Sequence, residues 1–257
     1  MTAWLLPAAV LAVAVLYASV GHGGATGYIA VMGLLGLAPE VIRPTALVLN
    51  LVVATIGTVQ FVRAGQFRRD LFVPLALASV PAAAIGGAMS LPTAVFEAAL
   101  GLVLAFSAVR MLGDLALPAT RAGTASGGGE PPTRRQLPSP ALAGIGAALG
   151  LAAGLTGVGG GVFLTPLLLE LRVATTRQVA AVSVVFILVN STAGLAGWLG
   201  SGRSLAVIDP WVVAAAAIGG LIGSQLGAFQ LPIRWLRILM AVVLAVASMK
   251  LLGLATT

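Results

Sequence analysis

Gly21-His22-Gly23-Gly24, with its later echo Gly157-Val158-Gly159-Gly160-Gly161, is the pattern that decides the fold of this 257-residue chain. Each glycine knot interrupts a long uncharged run. With His22 neutral, no charged side chain occurs from Met1 to Pro39, and none from Gln136 to Leu169. At about 1.5 Å per residue the first run would make a helix of roughly 58 Å, against about 30 Å for a bilayer core. One straight helix cannot use that length. The chain must break, and glycine permits the positive φ that a break needs. The breaks are where a ligand is expected to meet the protein.

Composition agrees. The chain is 59% hydrophobic and 8% charged, with a mean hydropathy of +1.08, whereas soluble domains carry about 25% charged residues. The apolar runs are too long for the alternating strands of a barrel. The expectation is an all-α, polytopic integral membrane protein with about 8–10 membrane segments. Met1-Thr2-Ala3-Trp4 carries no positive n-region, so the first segment is expected to belong to the fold. The net charge of +7 does not point to nucleic acid. The basic residues sit at the ends of apolar segments, and no basic stripe interleaved with aromatics exists. Membrane lipids are the expected surroundings. Cysteine is absent and there is one histidine, so thiolate chemistry and a transition-metal cluster are excluded. No cofactor is expected.

The chain reads as two repeats. Residues 1–112 form the first transmembrane repeat and 141–257 the second. Residues 113–140, with Gly127-Gly128-Gly129, Pro131-Pro132 and Arg134-Arg135, form a flexible cytoplasmic linker. Pro39-Glu40 through Arg43-Pro44 reads as a polar turn. Gly21/Gly157, Gly23/Gly159 and Gly24/Gly160 align at an offset of 136, and Leu91-Pro92/Leu231-Pro232 and Arg110/Lys250 at 140. A four-residue insertion near Gly200–Ser204 reconciles the two. If each knot turns the chain back, the halves are inverted, and 11 of the 14 basic residues fall on one side, leaving Arg43, Arg203 and Lys250 on the other. If the knots lie within ordinary crossings, the count is 9 against 5. The positive-inside rule favours inversion, which puts the linker in the cytoplasm and both termini outside.

Inverted repeats with broken helices are a transporter design, in which half-helix N-termini meet anionic groups near the midplane. Gly21, Gly23 and Gly24 open one such helix, and Gly157, Gly159, Gly160 and Gly161 the other. His22, the one titratable residue expected at membrane depth, can bond an anion or carry a proton, so proton or ion coupling stays open. All seven acidic residues fall at segment ends or in loops. A cation transporter normally keeps a carboxylate in the membrane, so an anionic or neutral substrate is expected. Among mid-membrane polar residues, Asn50 and Asn190 are the candidates for bonding an oxyanion. Ser19 with His22 could pair as nucleophile and base, but no carboxylate orients them, and no enzyme activity is expected. Trp4, Trp198 and Trp211 read as interface anchors.

The run Gly154-Leu155-Thr156-Gly157-Val158-Gly159-Gly160-Gly161-Val162-Phe163-Leu164-Thr165-Pro166 resembles the Gly-x-Gly-Gly-Gly…Pro signature of the sulfite exporter TauE/SafE family. The first knot, the segment Arg43–Asn50 and the stretch Arg63-Ala64-Gly65-Gln66 are similar to that family's first repeat. The first knot departs from the pattern: Ala25 stands where the second repeat has Gly161. The resemblance implies an inner-membrane secondary transporter for a small sulfur anion such as sulfite, thiosulfate or an organosulfonate. The alternatives are an anion channel and a transporter of another small organic anion.

Overall fold

The computed structural model describes residues 4–19, 22–90, 92–116, 137–205, 207–228 and 234–253. Ten helices and no strand occur among them: α1 (Leu5–Ser19), α2 (Ala25–Leu34), α3 (Pro39–Arg63), α4 (Arg69–Ala88), α5 (Thr93–Ala116), α6 (Ser139–Thr156), α7 (Gly161–Glu170), α8 (Thr176–Gly200), α9 (Pro210–Ala228) and α10 (Arg234–Leu251). Among the described residues four helices, α3, α4, α6 and α8, are long and apolar enough to cross a bilayer. The protein is an all-α, polytopic membrane protein. Most of the expected linker and Gly21 lie outside the described residues.

Element lengths recur along the chain. The short helices α2 and α7 have 10 residues each, and the long α3 and α8 that follow them have 25 each. The loop between α8 and α9 covers 201–209, four residues more than the 64–68 loop between α3 and α4.

The expected polar turn at Pro39–Pro44 is helical instead. Pro39 opens α3, where its missing N–H costs nothing, and Glu40 lies in the first turn beside the positive helix end. Arg43 therefore sits a turn inside α3, 3% exposed.

Glycine stripes let the helices approach to backbone contact. A methyl group on Gly146, Gly150 or Gly154 of α6 would strike the carbonyls of Leu75, Ser79 or Ala83 of α4. Both series climb by four, so α4 and α6 run side by side in the same direction. Gly219 and Gly223 of α9 meet Leu11 and Val15 of α1 in the same way. Against α8, α4 runs the other way, with Gly87 facing Gly194 and Ala84 facing Gly197. Small residues at four-residue spacing supply the close van der Waals contact that membrane helices need in place of a hydrophobic drive.

The stripe makes a testable contrast. Gly150→Ala forces α4 and α6 apart, and overpacking of this kind costs about 1–3 kcal/mol. Gly144→Ala, exposed on the same helix with nothing within 4 Å, gains about 0.5–1 kcal/mol from helix propensity. Thermal unfolding in detergent reads both, and equal shifts for the two would refute the packing argument.

Each knot makes a hairpin. Leu142 near the start of α6 and Leu168 near the end of α7 share one apolar cluster with Leu71 at the start of α4. The α6–α7 pair thus enters and leaves at the same end of the bundle, called here the linker end. The α1–α2 pair belongs to the opposite end. There Trp4 before α1 packs on Trp211 of α9, ring centroids 5.6 Å apart, and α3 begins directly after α2.

That opposite end is held by cations on carbonyls. The Arg43 guanidinium donates to Gly86, Gly87 (3.1 Å) and Met89 (3.0 Å) at the close of α4, and to Gly154 (3.0 and 2.6 Å) at the close of α6. Each helix C-terminus carries about half a negative charge, so the two together offset roughly one positive charge. Arg203 donates to Gly87 (2.7 Å) and Ala88 (2.8 Å), and desolvation lowers its pKa. Both guanidinium groups lie over the Trp198 ring, 5.2 and 3.9 Å from its centroid. Trp198 is 4% exposed and donates to the Ser204 carbonyl at 3.1 Å. It is a buried cation platform rather than the expected interface anchor. Trp4 and Trp211 do stand exposed. Lys250 donates to Gly33 (3.3 Å) and Leu34 (3.0 Å) at the end of α2. The side chain of Arg110 lies outside the described residues.

Candidate functional site

The two knots are built alike. Gly24 precedes α2 with φ 92°, and Gly160 precedes α7 with φ 78°; no side chain caps either helix. The first N–H groups of a helix have no partner within it. Two uncapped N-termini therefore point out of the knots. Gly157 closes α6 with φ 80°, its N–H on the Ala153 carbonyl at 2.9 Å. Positive φ at Gly24, Gly157, Gly159 and Gly160 is why glycine is required there.

The fold brings the knots together. A small cavity is lined by Tyr17, His22, Gly23, Gly24, Ala25 and Thr26 from the first knot, by Val158 and Val162 from the second, and by Ile187 of α8. Its free volume is about 10 Å³, room for about one water molecule. A four-atom oxyanion does not fit until the walls move. The His22 N–H donates to the Tyr17 carbonyl at 2.8 Å, fixing the turn after α1. Thr26 Oγ1 bonds Tyr17 Oη at 2.9 Å, tying α2 to α1. Two hydroxyl protons meet there and one makes the bond. Nothing acidic lines the cavity.

Asn50 of α3 lies between the knots, fully buried. A methyl group on Gly23 would come 2.8 Å from Asn50 Oδ1, and one on Gly159 would come 2.7 Å from Asn50 Nδ2. The amide donates to the Val158 carbonyl and to Ser191 Oγ, each at 3.4 Å. Ile187 touches the same two glycines and Gly161. The offset of 137 between α3 and α8 makes Ile187 the counterpart of Asn50. One position is polar and the other apolar.

Of the residues expected to form the site, Gly23, Gly24, Gly159, Gly161 and Asn50 converge with His22. Gly157 abuts the Arg43 backbone, and Gly160 packs on Phe186. Asn190 is buried but donates to the Phe186 carbonyl of its own helix at 2.8 Å, so its amide N–H₂ is engaged locally. Gly21 lies outside the described residues. Ser19 donates to the Leu16 carbonyl at 2.6 Å, engaged with its own helix rather than with His22. Sequence reading missed Tyr17, Thr26, Tyr28 and Ile187. Tyr28, one turn after Gly24, lays its ring against that glycine, a placement that helical spacing alone could have suggested.

Comparison with known proteins agrees with this architecture. The family model described as Sulfite exporter TauE/SafE matches residues 6–251. The chain is 42% identical over 251 residues to the "Probable membrane transporter protein y4hK" of Sinorhizobium fredii (strain NBRC 101917 / NGR234), covering 96% of this chain and 97% of that protein. No solved structure matches. With nearly its whole length matched, doubled knots included, the chain belongs to the sulfite exporter TauE/SafE family of membrane transporters.

Proposed function

We propose that the protein is a secondary transporter that carries a small anion, a sulfur oxyanion or organosulfonate of the sulfite, thiosulfate or sulfoacetate kind, across the inner membrane by alternating access. The observation that carries this reading is the pair of uncapped helix N-termini facing one cavity that no carboxylate lines. Backbone N–H groups and the two helix dipoles favour negative charge there. Family membership supports the transport class and the sulfur anion.

The test is uptake into proteoliposomes with a panel of sulfur anions, with and without a proton gradient. Saturable uptake of at least one of them, with counterflow, is expected. Flux without saturation or counterflow identifies a channel instead. No uptake of any sulfur anion, and no thermal stabilisation by one, would overturn the reading.

The halves are read as inverted repeats. The parallel runs of α4 with α6 and of α1 with α9, and hairpins entering from opposite ends, support this. The positive-inside rule then places the linker in the cytoplasm and both termini outside. In this cysteine-free chain, Ser126→Cys is expected to react with an impermeant maleimide only from the cytoplasmic side. Labelling of intact cells from outside would reverse the topology.

A further inference from the structure

Asn50 makes a demand that an anion alone does not meet. Its amide orientation is fixed by chemistry. Nδ2 faces the Val158 carbonyl at 3.4 Å, and a carbonyl can only accept, so the amide nitrogen must be on that side. Oδ1 is thereby turned toward Gly23 in the first knot. It is buried and has no hydrogen-bond partner among the described residues. A buried acceptor left unpaired is costly, and such exceptions call for an explanation. The surroundings otherwise offer donors: the first N–H groups of α2 and α7 and the Tyr17–Thr26 hydroxyl pair. The Tyr28 hydroxyl, buried beside Gly24, is likewise without a partner among the described residues. Between the knots the site is thus rich in donors and holds a fixed, unanswered acceptor in Asn50 Oδ1; Asn190 Oδ1, farther along α8, is likewise without a partner among the described residues.

We propose that the anion taken by the site carries its own proton: its bare oxygens sit on the N-terminal N–H groups of α2 and α7, and its O–H donates to Asn50 Oδ1. The class is a monoprotonated oxyanion, such as hydrogensulfite or a hydrogenphosphonate. A fully deprotonated anion of the same shape leaves Oδ1 facing lone pairs. The inference rests on the anion reading given above and narrows it. Asn50 is then the residue that selects protonation state, while the knots select charge. The counterpart position, Ile187, has no polar side-chain atom, so the two halves do not make this demand alike.

The test uses the full-length protein in detergent at pH 6 and two ligands of matched shape. Methylphosphonate is then mainly a monoanion with one P–OH, and methanesulfonate is a monoanion with none. Binding is read by calorimetry or thermal shift. Wild type is expected to bind methylphosphonate about tenfold or more tightly, the usual discrimination when a buried polar group would be left unpaired. In Asn50→Leu the two ligands are expected to bind within about twofold of each other, since the acceptor is gone. Equal binding of both ligands to wild type would overturn the proton-bearing ligand and leave the anion site standing. So would a preference that Asn50→Leu retains. Failure of wild type to bind any anion, including sulfite and thiosulfate, would overturn the anion site itself. Should Asn50→Leu not fold, the wild-type pair still decides.

Discussion

Arg43→Ala is expected to destabilise the protein by about 3–5 kcal/mol, the range for breaking a buried charged network, or to stop it assembling. The substitution strips the side-chain donor from the carbonyls of Gly86, Met89 and Gly154 at once, and one of two from Gly87. The close of α6 then keeps its partial negative charge without a counter-charge, and the close of α4 keeps Arg203 alone. The Trp198 ring also loses one of its two cations. Arg43→Lys is expected to recover less than half of the loss. An ammonium is a point charge and cannot spread a planar fork over two helices. Thermal unfolding of monodisperse protein in detergent measures both variants. A melting temperature for Arg43→Ala within about 2 °C of wild type, a shift of at most about 1 kcal/mol, would remove Arg43 from its keystone role.

Gly159→Ala is expected to leave a folded protein that has lost at least tenfold in anion affinity, or about 1.4 kcal/mol. Gly159 has φ 74°, and a methyl group there would lie 2.7 Å from Asn50 Nδ2 and 3.1 Å from both Ile187 and Ser191 Oγ. Asn50 must swing away or the knot must open, and either change moves the two N-termini apart. The left-handed backbone alone costs an alanine about 1–2 kcal/mol. Gly65→Ala isolates that part. Gly65 has φ 68° in the loop before α4, with nothing within 4 Å. It should lose similar stability and no affinity. Ligand-induced thermal shifts with the best sulfur anion read both variants. Undiminished shifts in Gly159→Ala would show that the second knot does not shape the site.

The break points of the fold were legible because they are properties of length and charge. An uncharged run twice the thickness of a bilayer has to turn, and Gly23-Gly24 and Gly159-Gly160 are the places where it can. Both proved to be the caps of short helices. The close-packing stripe Gly146, Gly150, Gly154 stands at plain four-residue spacing, but the sequence reading did not single it out. Arg43 was not legible. An arginine beside a proline between two apolar runs looks like a loop, and its true partners are backbone carbonyls of α4 and α6, which no residue type announces. Trp198 was misread for the same reason: an end-of-helix tryptophan reads the same whether it meets lipid or a guanidinium. In the site, Asn50 was found through its polarity at membrane depth. Asn190 shared that signal, but its amide nitrogen is spent on its own helix. Ile187 carried no signal at all, because an apolar wall is a fact of packing.

The carbonyl grip of Arg43 has a consequence for biosynthesis. Gly154, one of its acceptors, lies 111 residues further along the chain, and Trp198 comes later still. At about 5–20 residues per second a ribosome needs roughly 6–22 s to deliver Gly154. During that interval the guanidinium has no complete set of acceptors in the lipid and must stay hydrated at the bilayer surface. α3 is therefore expected to lock in place only once α6 has been made. The first half of the protein waits at the membrane for the second, and a truncated product ending before α6 should be recognised by quality-control proteases as unfinished.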